Sequence, residues 1–126
     1  MPKIVAIQAE ACAPLHAAFA EGKDAPVSID KKDTLAEGIA IAEPVRGSQI
    51  IAAVKNSGGT FLTVSDAEIK VSLMKICRQG YYIEPTSAAT TAGVEKYLEM
   101  ADEAECIVSV FTGMGLKSTE KLMTLV

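Results

Sequence analysis

Apolar residues along this chain fall into short continuous runs separated by stretches with helical periodicity. Lys3-Ile4-Val5-Ala6-Ile7-Gln8 is β-branched and predicts a buried strand. The Ala-rich stretch Ala9 to Glu21 predicts a helix stopped at Gly22. Lys23 to Lys32 is polar, contains Pro26 and predicts a loop, and Asp33 to Gly38 predicts a turn leading into Ile39-Ala40-Ile41. After Pro44 and Gly47, a helix is expected from Ser48, with Ile50, Ile51 and Val54 on one face and Asn56 to Gly59 as its end.

The second half repeats the alternation. Thr60 to Val64 predicts a strand. Ser65-Asp66-Ala67-Glu68 is a capping box: the Ser65 hydroxyl can accept from the Glu68 amide while the Glu68 side chain reaches back. Its helix should run to Arg78, bury Ile69, Leu73 and Ile76, and stop at Gly80. Tyr81-Tyr82-Ile83 reads as extended, Pro85 opens a helix over Thr86 to Ala101, and Cys106 to Phe111 is expected to be the third and most apolar strand. Thr112 to Gly115 breaks it, and Ser118 or Thr119 could cap a last helix. Strand and helix in alternation predict one α/β domain over residues 1–126, a three-layer parallel sheet with helices on both faces. Ligands in such sheets sit beyond the carboxyl ends of strands, which directs attention to the residues after Ile83 and after Phe111.

Composition narrows the possibilities. The chain has 126 residues, 49% hydrophobic and 22% charged, with a formal net charge of -4 and no block of like charge. A nucleic-acid footprint needs clustered Lys and Arg, so no nucleic-acid partner is expected. The apolar runs are too short to span a bilayer, and Met1-Pro2-Lys3-Ile4-Val5 lacks a signal-like region, so no membrane association and a cytoplasmic location are expected. Cys12, Cys77 and Cys106 form no CxxC pair and read as reduced structural thiols.

Two segments at the expected strand ends carry chemistry. Glu84-Pro85-Thr86-Ser87-Ala88-Ala89 places a carboxylate, two hydroxyls and small residues at a helix start; alone, it reads as an ordinary helix start capped by Thr86 or Ser87, with Glu84 solvated. Thr112-Gly113-Met114-Gly115-Leu116-Lys117 sets a hydroxyl at a strand tip before two glycines; alone, it reads as a strand-to-helix connection that needs positive φ. Together with Thr34-Leu35-Ala36-Glu37-Gly38-Ile39-Ala40, in this order and spacing, they resemble the C-terminal part of the tryptophan-synthase-β-like, fold-type II family of pyridoxal-phosphate enzymes. Gln8-Ala9-Glu10 before Pro14-Leu15, and the ending Thr112-Gly113-x-Gly115-Leu116-Lys117, are similar to its threonine synthase branch. Threonine dehydratases share the Ala36-x-Gly38-Ile39-Ala40 and Glu84-Pro85-Thr86 pieces.

The resemblance implies pyridoxal phosphate as cofactor and assigns five cofactor-binding positions. Thr112 would bond the pyridine nitrogen, Glu84 would lie beside the ring, and Gly38 would let backbone pack against it. Ser87 would support the Glu84 turn, and Gly113, with Gly115, would shape the pocket floor. A hydroxyl partner suits elimination and replacement chemistry with the cofactor as electron sink. In the complete enzyme of the threonine synthase branch, O-phosphohomoserine would lose phosphate and gain water to give threonine. The family's cofactor-anchoring lysine and phosphate cradle precede the segment seen here, and Lys3, Lys55, Lys70, Lys75 and Lys96 read as surface or edge charges. No catalytic residue is therefore assigned, and the chain alone is expected to be inactive. Its expected partners are the N-terminal catalytic portion or a second copy, as in a homo-oligomer, with a small amino-acid substrate in the complete enzyme. The alternatives are a stand-alone binding or pairing domain on the same scaffold, or a fragment of a dehydratase. His16 and Glu10 could meet a cation as in some relatives, but two ligands do not make a site, so no metal is expected.

Overall fold

The computed structural model describes residues Met1 to Leu125. Two strands, β1 (Val5–Ala9) and β2 (Thr60–Val64), pair in parallel with Val5 opposite Thr60 and Ala9 opposite Val64. The crossover between them carries α1 (Pro14–Ala20), a 3₁₀ turn (Glu37–Ile39) and α2 (Gly47–Asn56). After β2 come α3 (Asp66–Arg78), α4 (Pro85–Leu98), a 3₁₀ turn (Gly115–Ser118) and α5 (Thr119–Met123). None of these helices is long and apolar enough to cross a membrane.

The period-two alternation of the strands sorts the helices into two layers. Ala6 and Phe61 face α1 and α2, where Leu15, Ala18, Ile51 and Val54 close one core and the Phe19 and Phe61 rings meet at 5.2 Å. Ile7 and Val64 face the other way, onto Ile69, Leu73, Ala88, Ala89 and Ala92 of α3 and α4. The three-layer α/β architecture with helices on both faces is thus present, on a sheet of two strands among the described residues. The α4 helix lies directly on β1: a Cβ on Gly93 would overlap the Ile7 side chain. Between α3 and α4, Ser72 and Thr91 share a buried 2.7 Å hydrogen bond. Thr91 also donates to the Ala88 carbonyl, so Ser72 must be the donor to Thr91.

The local signals act as their chemistry requires. Ser65 and Glu68 form the reciprocal capping box of α3. Gly80 follows that helix at φ +95°, and Gly22 follows α1 at φ +70°. Several expectations are corrected. The first helix begins at Pro14 rather than Ala9, because Pro14 fits the first turn and Ala9 to Cys12 forms a tight bridge. On α2, Ile51 and Val54 are buried but Ile50 is 39% exposed, because residues adjacent in sequence point about 100° apart on a helix. The helix from Pro85 ends at Leu98 instead of Ala101. The Ser118 and Thr119 side chains do not cap α5; Thr119 Oγ1 donates to the Leu116 carbonyl instead.

The largest correction concerns Cys106 to Phe111. The segment forms no strand, and none of its backbone groups is hydrogen-bonded among the described residues. Exposure alternates from Glu105 to Val110, as in an extended segment resting one face on the body, and Cys106 is exposed rather than buried. Apolar character records a demand for burial; ladder formation also needs an adjacent strand.

Candidate active site

The two chemistry-bearing segments are clamped together beyond the predicted third strand. Ile83 and Met114 form an antiparallel bridge, the Glu84 N–H donates to the Gly113 carbonyl at 3.1 Å, and the Gly115 N–H donates to the Tyr82 carbonyl at 2.9 Å. Pro85 starts α4 and makes Glu84 its N-cap, with extended backbone (φ -79°, ψ 159°) and no side-chain cap bond. The Glu84 carboxylate is thereby free to turn toward the other segment. Neither Gly113 nor Gly115 has positive φ, so close approach, rather than left-handed backbone, explains both. A Cβ on Gly113 would overlap the Glu84 carboxyl group, and one on Gly115 would meet the Tyr82 ring at 2.7 Å.

Four of the five sequence-predicted positions form one hydrogen-bonded cluster. Ser87, fully buried, accepts from the Thr112 N–H at 2.9 Å and the Gly113 N–H at 3.2 Å. Those two bonds occupy both lone pairs of its hydroxyl, so in the 3.1 Å contact with Thr112 Oγ1 the proton must come from Ser87. Thr112 in turn donates to Glu84 Oε1 at 3.1 Å. The protons therefore run in one direction, from Ser87 to Thr112 to Glu84, and leave one lone pair on an exposed Thr112. The fifth position, Gly38, adjoins the same helix start: its N–H donates to Thr86 Oγ1 at 3.3 Å, and a Cβ there would lie 2.8 Å from that oxygen.

Two supporting residues escaped the sequence reading, and a third, Thr86, was expected only as a possible helix cap. Asp66, at the start of α3, accepts from the Thr34 hydroxyl and the Leu35 N–H, and so anchors the turn that carries Gly38. Lys121 reaches Glu37 at 2.6 Å and holds its carboxyl below the usual range, tying the C-terminal helix to that turn. Thr86 receives the Gly38 amide. Their only sequence signal is residue type, because the partners of Asp66 and Lys121 lie 31 to 87 positions away. The lysines stay out of the cluster: none bonds to Glu84, Ser87 or Thr112 among the described residues. Lys3, Lys55, Lys75 and Lys96 instead pair with Glu105, Asp24, Glu95 and Glu68. Glu10 and His16 border one shallow depression, and no three metal-ligating side chains converge among the described residues.

A buried serine thus orients an exposed hydroxyl toward a half-buried carboxylate at a glycine turn. The sequence model of the family described as pyridoxal-phosphate dependent enzyme matches residues 1–113. The chain belongs to that family. Among other members, threonine synthase of Methanosarcina acetivorans is 33% identical over 126 residues, covering 98% of this chain and 31% of the relative. Threonine synthase of Methanocaldococcus jannaschii is 34% identical over 123 residues, covering 95% and 30%. The crystal structure of a threonine deaminase from T.th. superposes with a TM-score of 0.63 at 19% identity, covering 79% of this chain and 35% of that one, which shows a shared fold. The chain spans about a third of the length of the curated relatives it matches. The match is thus to part of a pyridoxal-phosphate dependent enzyme, and pyridoxal phosphate is the cofactor of the family.

Proposed function

We propose that the chain is the ring-side part of a threonine-synthase-like lyase, in which O-phosphohomoserine loses phosphate and gains water to give threonine. The observation that carries this reading is the directed cluster Ser87–Thr112–Glu84, at the strand-end position where the family would place the pyridine nitrogen's partner. The residues suit such a ring. Thr112 retains a free lone pair, Ser87 fixes the position of its oxygen, and the bare Gly113 leaves room for the carboxylate behind it. Pyridoxal phosphate, when bound, supplies an electron sink for breaking bonds at the amino-acid carbons. Thr112 serves either protonation state of a ring nitrogen. It accepts through the free lone pair, or it donates by turning its proton off Glu84, and Ser87 keeps the oxygen in place for both. Glu84 holds that proton in the meantime, and Gly38 presents side-chain-free backbone beside Thr86.

Among the described residues nothing in the cluster can anchor the cofactor's aldehyde, because no lysine bonds to it. The anchoring lysine and the phosphate cradle would come from the remainder of the enzyme, so the chain alone is expected to be inactive. Two experiments test this. The chain incubated with pyridoxal phosphate and borohydride should show no single specific lysine adduct by peptide mass spectrometry. Mixed with the N-terminal two-thirds of the Methanosarcina acetivorans threonine synthase, it should restore phosphate release from O-phosphohomoserine. Phosphate release by the chain alone, or one stoichiometric lysine adduct, would overturn the reading. Ammonia released from threonine by the mixture would move it to the dehydratase branch.

A further inference from the structure

The turn that carries Gly38 is attached to the body by side chains. Among the described residues, no backbone–backbone hydrogen bond joins residues 33–41 to another element; those donated by Ile39, Ala40 and Ile41 stay within the turn. Ala36 is fully buried, and Leu35 and Ile39 pack against the core between α3 and α4. Such packing is non-directional, so it sets the depth of the turn rather than its orientation. Orientation falls to polar contacts from three helices: Asp66 of α3 on Thr34 and Leu35, Thr86 of α4 on the Gly38 N–H, and Lys121 of α5. Lys121 grips the turn at two points, donating to Glu37 Oε1 at 2.6 Å and to the Thr34 carbonyl at 3.4 Å. The helix that carries it continues directly from the site, because Thr112 to Gly115 lead through the 3₁₀ turn Gly115–Ser118 into α5. Leu122 buries α5 in the core, and the Tyr82 hydroxyl bonds Thr119 Oγ1 at 3.2 Å. Thr119 spends its own proton on the Leu116 carbonyl, so Tyr82 is the donor.

We propose that Lys121 is a positioning residue: by bridging Thr34 and Glu37 from the helix that continues the Thr112–Gly115 turn, it fixes the spacing between Gly38 and Thr112. The inference rests on the reading of Gly38 and Thr112 as cofactor-facing positions. Gly38 has no side chain with which to adapt to a flat ring, so its contact depends wholly on where its backbone lies. Neither of the other two ties can set that place relative to Thr112. Asp66 holds the entry to the turn at Thr34 and Leu35, and Thr86 fixes only the distance from Gly38 to the start of α4. Lys121 closes a ring of contacts that runs from the Thr112 turn through α5 to the Gly38 turn, then through Thr86 and Ser87 back to Thr112. The Lys121 side chain is 30% exposed and that of Glu37 79%, so the pair is partly screened and adds little to global stability. Its effect is local, on the orientation of one turn.

Amide exchange read by NMR on the 126-residue chain, without cofactor, gives the first test. Lys121→Met keeps the apolar stem and removes the charge, and Glu37→Gln removes the partner. Each should speed exchange at Gly38, Ile39 and Ala40 about threefold, the scale of a partly exposed ion pair, and leave the amides of β2 and α3 unchanged. The double variant should be no faster than either single one, because both remove the same interaction. Lys121→Arg should restore slow exchange, and Lys70→Met, the same charge change at an exposed position of α3, should not alter these amides. If Lys121→Met loosens α5 as a whole, Glu37→Gln, which lies outside that helix, decides the case. The second test mixes each chain with the N-terminal two-thirds of the Methanosarcina acetivorans threonine synthase and titrates pyridoxal phosphate by fluorescence. The apparent Kd should rise about threefold in Lys121→Met and in Glu37→Gln, with phosphate release at saturating cofactor unchanged. Unaltered exchange in Glu37→Gln, additive effects in the double variant, no rescue by Lys121→Arg, or an equal change in Lys70→Met would each overturn the proposal. Unaltered amides and cofactor affinity in a mixture whose wild type releases phosphate would sink this inference and spare the lyase reading. A wild-type mixture that binds pyridoxal phosphate through the expected shifts yet releases no phosphate would do the reverse.

Discussion

Ser87→Ala removes a single oxygen yet should be among the more damaging conservative substitutions in the chain. Ser87 is fully buried and makes three hydrogen bonds, two accepted from backbone N–H groups and one donated to Thr112. Each such bond contributes about 0.5–1.5 kcal/mol net, and a buried donor left without a partner costs about 1–3 kcal/mol. Water can reach the exposed Thr112 and replace part of the loss, whereas Gly113 is partly shielded. The sum is a destabilisation of about 2 kcal/mol, a sizeable share of the roughly 5–15 kcal/mol that holds a domain folded. Urea unfolding with an unchanged m-value reads the energy, and amide exchange at Thr112 and Gly113 by NMR reads the place. Ser72→Ala is the control. It removes one buried hydroxyl that donates to Thr91, and should cost about 1 kcal/mol while leaving the Thr112 and Gly113 amides as protected as before. A loss below about 0.5 kcal/mol in Ser87→Ala, with both amides still protected, would refute the proton count on which the site rests.

Other substitutions probe other links. Ser65→Ala should cost about 1 kcal/mol in urea unfolding by removing the α3 cap. Glu68 is held below its ordinary value of 4.5, first by the Ser65 backbone N–H and then by Lys96, so its contribution is complete above that pH and lost as pH falls through the lowered value. The stability gap between wild type and Glu68→Gln should therefore close on acid titration; a constant gap would contradict the assignment. Gly93→Ala should cost about 1–3 kcal/mol in thermal or urea unfolding, because the new methyl overlaps Ile7 between α4 and β1. Gly113→Ala should displace the Glu84 carboxylate, release the Thr112 hydroxyl proton and shift the Thr112 amide resonance; an unchanged resonance would count against the cluster.

Whether a feature was legible in the sequence depended on how far away its cause lay. The capping box at Ser65, the helix start at Pro85 and the stop at Gly80 are decided within a few residues, and all three hold. Strand β2 holds to the residue, since Thr60 to Val64 lies between the turn glycines and the cap. The segment 106–111 fails for the opposite reason. Its sequence has the apolar continuity of a central strand, but a ladder is a property of two chains, and no strand lies beside it among the described residues. At the site, the ends of sheet-directed runs drew attention to both segments, and the family resemblance then implied the grouping of Glu84, Ser87, Thr112 and Gly113. Asp66 and Lys121 could not, because each acts on a turn more than 30 positions away and nothing local distinguishes them from surface charges.

The site cluster and the groove beside β1 differ in how complete they are, which bears on how this chain behaves outside a larger protein. Glu84, Ser87 and Thr112 satisfy one another and the amides of the Thr112–Gly113 turn, so that wall of the site needs no further polypeptide to keep its shape. The groove between β1 and residues 106–111 is the reverse: among the described residues the backbone of 106–111 is unpaired and the Ser109 hydroxyl has no partner, while Val108 and Val110 are exposed. A preformed ring-side wall would lower the ordering cost of binding cofactor once the rest is present, because the hydroxyl is already oriented. Under the proposed function, the unpaired backbone would drive association first, since buried apolar surface and backbone bonds outweigh any contact the small polar cluster could offer. On that proposal, assembly would begin at the sheet and only then complete the site.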